Sequence, residues 1–387
     1  MAVEQAVPYP SLDTPAVLVD MDKLEANIKE MSQLTAEAGV KLRPHIKIHG
    51  SAFIAKLQIE AGACGIDVGS VDQAEAFAAE GFNDILVAHP FYSQHKLEIL
   101  KRLLSKPGLE VTLVVDMIKQ VEDISKVGQA QGRNVPVLLK IETGANRFGT
   151  SPGEPTLSLA KKLCQLPGIE FMGIYAHESA TKPTDEGVDK TAFETASIMS
   201  ETTKILKKEG ILIEHVSVGA SSTIRSTFRY LKEKKFPEIT EVHPGGYVLG
   251  GIRYVRGHGI TEERCALTVL ISVVSTSHDD HAVINCGSKT LGADSLIEYR
   301  DNPDFFWNGR PSFGVIRERP DLWLSRLSAE TSCIYYKDLE KRLSLGERLE
   351  IIPNNAIAVT NLHDKLYSVR NGVLEKEIIV TTRGLGF

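Results

Sequence analysis

From about residue 20 to residue 250 the chain alternates short β-rich apolar runs with longer stretches whose apolar residues recur at helical spacing. "KLRPHIK", "GIDVGS", "DILVAHP", "EVTLVVD", "VPVLLKIETG", "FMGIYAHE", "HVSVGA" and "ITEVHPGGY" read as strands. "SAFIAKLQIEAG", "VDQAEAFAAEG" and "KLEILKRLLSK" read as amphipathic helices, and glycines stop several of them. Eight β-then-α units in about 230 residues match a TIM-type (β/α)₈ barrel in count and size, with a doubly wound open sheet as the rival arrangement. After Gly250 the rhythm changes. "CALTVLISVVSTSHDDHAVINCGSK" reads as strand, polar turn, strand, and "LSAETSCIYY", "RLEIIPN", "KLYSVRNG" and "EKEIIVTTRG" continue as short strands without a long helix. The expected organisation is an α/β barrel over residues 20–250 and a mainly-β domain built from residues 1–19 and 251–387, with "PAVLVD" joining the second sheet.

The run "LRPHIKIHGS" breaks the apolar pattern. Read as a strand, it places Arg43, His45, Lys47 and His49 on one face. A face that polar is not ordinary core. In a barrel of this kind chemistry sits at the C-terminal strand ends. Lys47 ends the first strand, Arg147 follows the fifth, and His177 ends the sixth. "VSVGASST" and "HPGGY" follow the seventh and eighth, where backbone N–H groups commonly cradle phosphate. A phosphate cradle facing a lysine, with an arginine between them, suggests pyridoxal 5'-phosphate held as a Schiff base. Lys47 would be its nucleophile, with its pKa lowered by His45 and Arg43.

Composition narrows the class without changing this picture. A net charge of −6 gives no reason to expect nucleic acid as a partner. No apolar run approaches the length of a membrane span. The first residues lack the basic and apolar regions of a secretory signal, and five dispersed cysteines without CxxC spacing fit reduced thiols. A cytoplasmic, homodimeric enzyme acting on a small molecule is expected.

The lysine run resembles the D-threonine aldolase and D-serine dehydratase family, whose pattern is Arg-Pro-His-x-Lys-Thr-His. That family belongs to the alanine-racemase-like fold type of pyridoxal enzymes. "TPAVLVD", "RPHIKIH", "ETGANRFG", "GIYAH", "VSVGASST", "HPGGYV", "CGSKTLGAD" and "NLHDKLY" follow in family order over nearly the whole chain. The resemblance implies that Lys47 carries the cofactor, that Arg147 lies near its phenolate oxygen, and that His177 stands beside the reacting carbons as general base. His45 and Tyr175 join the cofactor site. Gly219, Ser221, Thr223, Gly245, Gly246 and Tyr247 become the phosphate-binding candidates.

The departures bear on the reaction. Family members hold a divalent metal through a His-x-Asp or His-x-Cys pair, which falls here on Asn355 and Ile357. Isoleucine cannot ligate a metal, and a lone amide is a poor ligand. The upstream Glu-His-Gly is altered to Glu330, Thr331 and Ser332; Ile48 replaces a threonine and Gly50 a lysine. No metal is therefore expected. "SHDDH" reads as a solvated hairpin turn, His363–Asp364 as a pair whose strand shift turns its side chains away from the lost ligand positions, and Asp294 either as a cleft residue or as a turn cap. Without metal, loss of hydroxide is the reaction most impaired, whereas retro-aldol cleavage needs only removal of the β-hydroxyl proton. The leading expectation is a lyase for 3-hydroxy-D-amino acids of the D-threonine or 3-hydroxyaspartate aldolase type. A metal-independent racemase or epimerase is the alternative. A D-serine-dehydratase-type lyase and a non-catalytic pyridoxal carrier remain further readings.

Overall fold

The computed structural model describes residues 9–178, 184–257, 259–296 and 305–386. The first strand, β1 (Ala16–Asp20), runs into helix α1 (Met21–Ala38). Asp20 caps α1 by accepting the Lys23 N–H, and Gly39 closes it in the left-handed conformation at φ 71°. Leu24, Ile28 and Met31, spaced by four and three residues, form its buried face.

Eight parallel strands follow: β2 (Lys41–Leu42), β3 (Ile66–Val68), β4 (Asp84–Val87), β5 (Glu110–Val115), β6 (Val135–Lys140), β7 (Ile169–Tyr175), β8 (His215–Val218) and β9 (Glu241–Val242). They are separated by α2 (Ala52–Glu60), α3 (Val71–Ala79), α4 (Gln94–Leu104), α5 (Ile118–Ala130), α6 (Glu154–Leu163), α7 (Asp185–Lys208) and α8 (Ile224–Lys232). All eight predicted strands are present in the order 2-9-8-7-6-5-4-3. The seam between β2 and β3 is closed by a parallel bridge between His45 and Asp67. The Asp67 N–H reaches the Pro44 carbonyl at 3.0 Å, and the Cys64 N–H reaches that of Leu42 at 2.8 Å. The sheet is thus a barrel, and the open-sheet alternative is set aside.

The second sheet is mainly antiparallel. β1 pairs antiparallel with Leu267–Ser275 and parallel with Lys365–Arg370, so the N-terminal "PAVLVD" does join the C-terminal strands. Leu267–Ser275 and His281–Ile284 form the predicted antiparallel pair around the "SHDDH" turn. A short helix, Ala356–Leu362, lies between the strands predicted at "RLEIIPN" and "KLYSVRNG". Among the described residues no helix is long and apolar enough to cross a membrane.

The expected strand across "LRPHIKIHGS" is corrected. Strand pairing stops at Leu42, and Ile46–Ile48 form a 3₁₀ turn capped by His45, whose Nδ1 faces the Lys47 N–H. Pro44 has no N–H to continue a ladder. The four polar residues therefore do not share a face. Arg43 turns to Asp84 at 2.6 Å and Glu241 at 3.0 Å, and His49 is buried against Gln58 at 3.2 Å. The second sheet's side of the molecule clamps this turn: the Thr360 hydroxyl donates to the Ile48 carbonyl at 2.9 Å, and the Thr382 N–H donates to that of Gly50 at 3.0 Å. Gly50 adopts φ +55°, and a Cβ there would lie 2.8 Å from the Thr382 hydroxyl. A lysine does not fit that position in this chain.

Candidate active site

A cavity of about 200 Å³ opens at the C-terminal end of the barrel. His45 and Lys47 after β2, His177 and Glu178 after β7, Ser221 and Ser222 after β8, and His243, Gly245 and Gly246 after β9 line it, with Arg253 and Tyr254 on its far wall. A roomier cavity of about 320 Å³ at the opposite mouth is lined by Arg43, Asp84, Glu170 and His215, but Arg43 is already paired with Asp84 and Glu241.

Two loops form the cavity floor as closely packed backbone. A Cβ on Gly245 would meet the His45 carbonyl oxygen at 2.3 Å, and one on Gly246 would meet the Tyr254 ring at 2.3 Å. The Gly246 N–H donates to the Ser221 hydroxyl at 2.6 Å, and the Ala220 N–H faces the Thr223 hydroxyl at 3.3 Å. The Gly219 N–H is taken by the buried Glu178 carboxyl at 3.1 Å. Burial lifts that carboxyl to about 7. Tyr175, Thr223, Gly219 and Tyr247 do not line the cavity. Tyr175 lies beneath it, donating to Asp67 at 3.0 Å and stacking on His243 at 4.1 Å between ring centres. The Tyr247 hydroxyl accepts from Gln58 at 2.8 Å, in a chain that ends on His49. Arg147 is exposed above the site, its guanidinium 5.4 Å from the centre of the Phe148 ring.

The electrostatics are those of charge held out of water. The Lys47 amine is pulled below its ordinary range by burial and then by Arg147, while Asp67 opposes the shift. The expected contributions of Arg43 and His45 are thus replaced by burial and Arg147, because Arg43 points to the other mouth and its charge is met there. Lys140 falls to about 8 through burial and Arg147, and donates to the Ala88 carbonyl at 3.1 Å. Asp67 rises to about 8 because burial outweighs its bond from Tyr175. His45, His177 and His243 are driven well below the ordinary imidazole range, burial being the largest cause in each, so all three are neutral at neutral pH.

Neutrality fixes one proton per ring. Nδ1 of His177 lies 3.3 Å from the Gly219 carbonyl oxygen, which can only accept, so Nδ1 carries the proton and Nε2 is a bare base. His49 is the reverse: Nδ1 accepts the Ser51 N–H at 3.0 Å, so Nε2–H donates to Gln58.

A sequence profile of the alanine racemase N-terminal domain matches residues 19–252, and one of the serine dehydratase domain matches residues 266–369. The chain belongs to the alanine-racemase-like family. The curated relatives that match over 90% or more of the chain are aldolases and dehydratases, and the protein is a pyridoxal-phosphate lyase of that kind. It is 29% identical over 386 residues to 3-hydroxy-D-aspartate aldolase of Paracoccus denitrificans (strain Pd 1222), covering 97% of this chain and 93% of that protein. It is 30% identical over 364 residues to D-threo-3-hydroxyaspartate dehydratase of Delftia sp. (strain HT23), covering 90% and 92%. The crystal structure of D-threonine aldolase from Filomicrobium marinum superimposes with a TM-score of 0.86 at 27% identity, over 98% of each chain.

Where relatives of this family would be expected to carry metal ligands, this chain has a polar cross-link. Asn355 caps the helix Ala356–Leu362, accepting the Ile357 N–H at 3.1 Å, and its amide donates to Asp294 at 3.1 Å. Asp294 also accepts from Arg253 at 3.2 Å and from the Leu296 N–H at 3.2 Å, so it both caps a turn and holds a cavity residue. Ile357 packs against the apolar core. His363 faces the Thr290 carbonyl at 3.2 Å, and Asp364 pairs with Arg383 at 3.0 Å. Among the described residues no three or more His, Cys, Asp or Glu side chains are arranged to hold a metal.

Asp67, Lys140, Glu178 and His243 were not singled out from the sequence. His243 could have been found by the rule that found His177, since it directly follows β9. The other three lie inside strands or beside a chosen residue, where only burial marks them.

Proposed function

We propose that the protein is a pyridoxal-phosphate-dependent lyase that cleaves the Cα–Cβ bond of a 3-hydroxy-D-amino acid by retro-aldol chemistry, without a metal. Residues 20–250 would hold the cofactor, and residues 1–19 with 251–387 would form the β-domain. The observation that carries the reading is the bare Nε2 of His177 in the same cavity as the Lys47 amine. The residues fit the cofactor: an amine with a lowered pKa, a close-packed glycine loop where phosphate would sit, and Arg147 overlooking the mouth. When bound, pyridoxal phosphate supplies an aldehyde that captures amino groups and a ring that withdraws electrons from Cα.

The rest of the chemistry falls to this chain. Lys47 would hold the cofactor, and its amine would deliver the proton that Cα takes up after the Cα–Cβ bond breaks. His177 Nε2 takes the β-hydroxyl proton; the oxygen's electron pair becomes the carbonyl of the departing aldehyde. The Cα–Cβ pair stays on Cα, which is reprotonated to give glycine. Gly219 orients His177, while the Ser221–Gly246 contact draws the two phosphate-side loops together. A cytoplasmic setting fits five unpaired cysteines, and the homodimer is open to a light-scattering measurement.

Incubation with 3-hydroxy-D-amino acids tests the reading. Aldehyde plus glycine supports it. Ammonia plus a keto acid would make the protein a dehydratase, and solvent deuterium at Cα with inversion would make it a racemase. Changing His177 to Asn should cut cleavage by about 10²–10⁴-fold, the usual contribution of a positioned general base. The variant should keep its cofactor absorption, because Lys47 and the loops are untouched; unchanged cleavage would remove His177 from the mechanism. Activity should also survive a strong chelator, because Asn355 and Ile357 stand at the ligand positions. Chelator inactivation reversed by manganese or zinc would overturn that expectation.

A further inference from the structure

His243 carries a second polar handle that the lyase reading does not use. Its Nδ1 lies 2.8 Å from the Ser217 hydroxyl oxygen, and that hydroxyl lies 3.1 Å from Glu241 Oε1. The other Glu241 oxygen takes Arg43 Nε at 3.0 Å in a buried ion pair. A carboxylate so paired only accepts. Ser217 has one proton and donates it to Glu241, so it must accept from His243, and Nδ1 carries the ring's proton. Nε2 is then a bare acceptor. It is buried, it makes no hydrogen bond among the described residues, and its ring lines the cavity. Stacking on Tyr175, with ring planes 12° apart, holds the ring in that orientation.

His45 presents the opposite hand. Its Nδ1 faces the Lys47 N–H at 3.4 Å, which leaves the proton on Nε2, also buried and unpartnered. Besides the bare Nε2 of His177, the cavity therefore offers a fully buried orphan donor on His45 and a fully buried orphan acceptor on His243. On pyridoxal phosphate, the phosphate oxygens, the aldehyde and the ionised phenol are all acceptors. Its ring nitrogen is the one group that can donate, and only when protonated.

We propose that His243 Nε2 accepts a hydrogen bond from the protonated ring nitrogen of pyridoxal phosphate, with Ser217 and Glu241 as positioning residues that fix its tautomer. Bound this way, the ring withdraws electrons from Cα more strongly than a neutral pyridine, which favours any bond cleavage at that carbon. The inference rests on the cofactor and not on the lyase reading, and its test uses no substrate, so either can fail alone.

The test is nitrogen-15 magnetic resonance of holoenzyme reconstituted with ring-labelled pyridoxal phosphate at neutral pH. The wild-type resonance is expected at the pyridinium position. In His243→Leu it should move to the neutral-pyridine position, and in Ser217→Ala it should move part of the way. A neutral-pyridine resonance in the wild-type holoenzyme overturns the proposal, as does a pyridinium resonance that His243→Leu leaves in place. Should that variant fail to fold, a neutral-pyridine resonance in the wild type still overturns the proposal, and the shift in Ser217→Ala carries the dependence on His243. An unmoved resonance in Ser217→Ala removes Ser217 from its positioning role.

Discussion

Changing Lys47 to Ala is expected to leave a protein that no longer attaches pyridoxal phosphate covalently and whose turnover falls by about 10⁴-fold or more. That is the upper end for one positioned proton-transfer group, and Lys47 has a second task in holding the cofactor. Its amine is buried in the cavity and shifted toward the neutral, nucleophilic form. Its turn is pinned by Thr360 and Thr382, so the side chain cannot swing out without breaking those bonds. Arginine should not rescue it, because a guanidinium stays protonated and is no nucleophile. Borohydride reduction of the wild type followed by peptide mapping checks the assignment. Lys140 is the rival, since it too is buried in the barrel and lowered to about 8. It is occupied by the Ala88 carbonyl and lies over the Tyr175 ring at 5.0 Å, outside the cavity lining. A label on Lys140 would move the catalytic lysine to β6.

The cofactor-free protein should lose stability steeply as the pH falls from about 6.5 to 4.5. Burial keeps His45, His49, His89, His177 and His243 neutral in the folded state, with His49 and His89 lowered to about 4. The same five imidazoles protonate near 6.5 once unfolded. A depressed histidine stabilises fully above that value, and its contribution is lost as the pH falls through it. Asp67 and Glu178, raised to about 8 and about 7, act the other way. They hold their protons when folded and lose them when unfolded in this range, so their contribution grows as the pH falls. Five imidazoles against two carboxyls leave a net uptake of three protons on unfolding from these groups, and His363, also lowered by burial, acts in the same direction. At about 1.4 kcal/mol per proton per pH unit, stability should drop by roughly 4 kcal/mol per unit. A typical folded domain has only about 5–15 kcal/mol in total, so two units should suffice to approach unfolding. Denaturant titrations at pH 7 and pH 5 measure the slope directly. His49→Asn, away from the cavity, should reduce it by one proton's worth; a flat profile would mean that the histidines are hydrated.

The eight β/α units and the change of rhythm after Gly250 were legible because hydrophobic period is a local property. So were Lys47, His177 and the two glycine-rich loops, because strand-end position is itself a sequence coordinate in a barrel. That Asn355 and Ile357 fall at metal-ligand positions is implied by the family resemblance; residue chemistry adds only that isoleucine cannot ligate a metal. Local pattern misled at "LRPHIKIHGS", where apolar and polar residues alternate as in a strand. There a proline, a side-chain cap on the Lys47 N–H and a clamp from residues more than 300 positions away bend the chain into a turn. Tertiary packing also decided which histidine nitrogens are bare. A ring's tautomer follows from the carbonyl, hydroxyl or amide placed against it, and Gly219 and Ser217 reach their rings only when the barrel closes. The same closure decides that Asp67 and Lys140 are buried, because a titratable group's charge depends on the water it loses, and no residue carries that information in its own position along the chain.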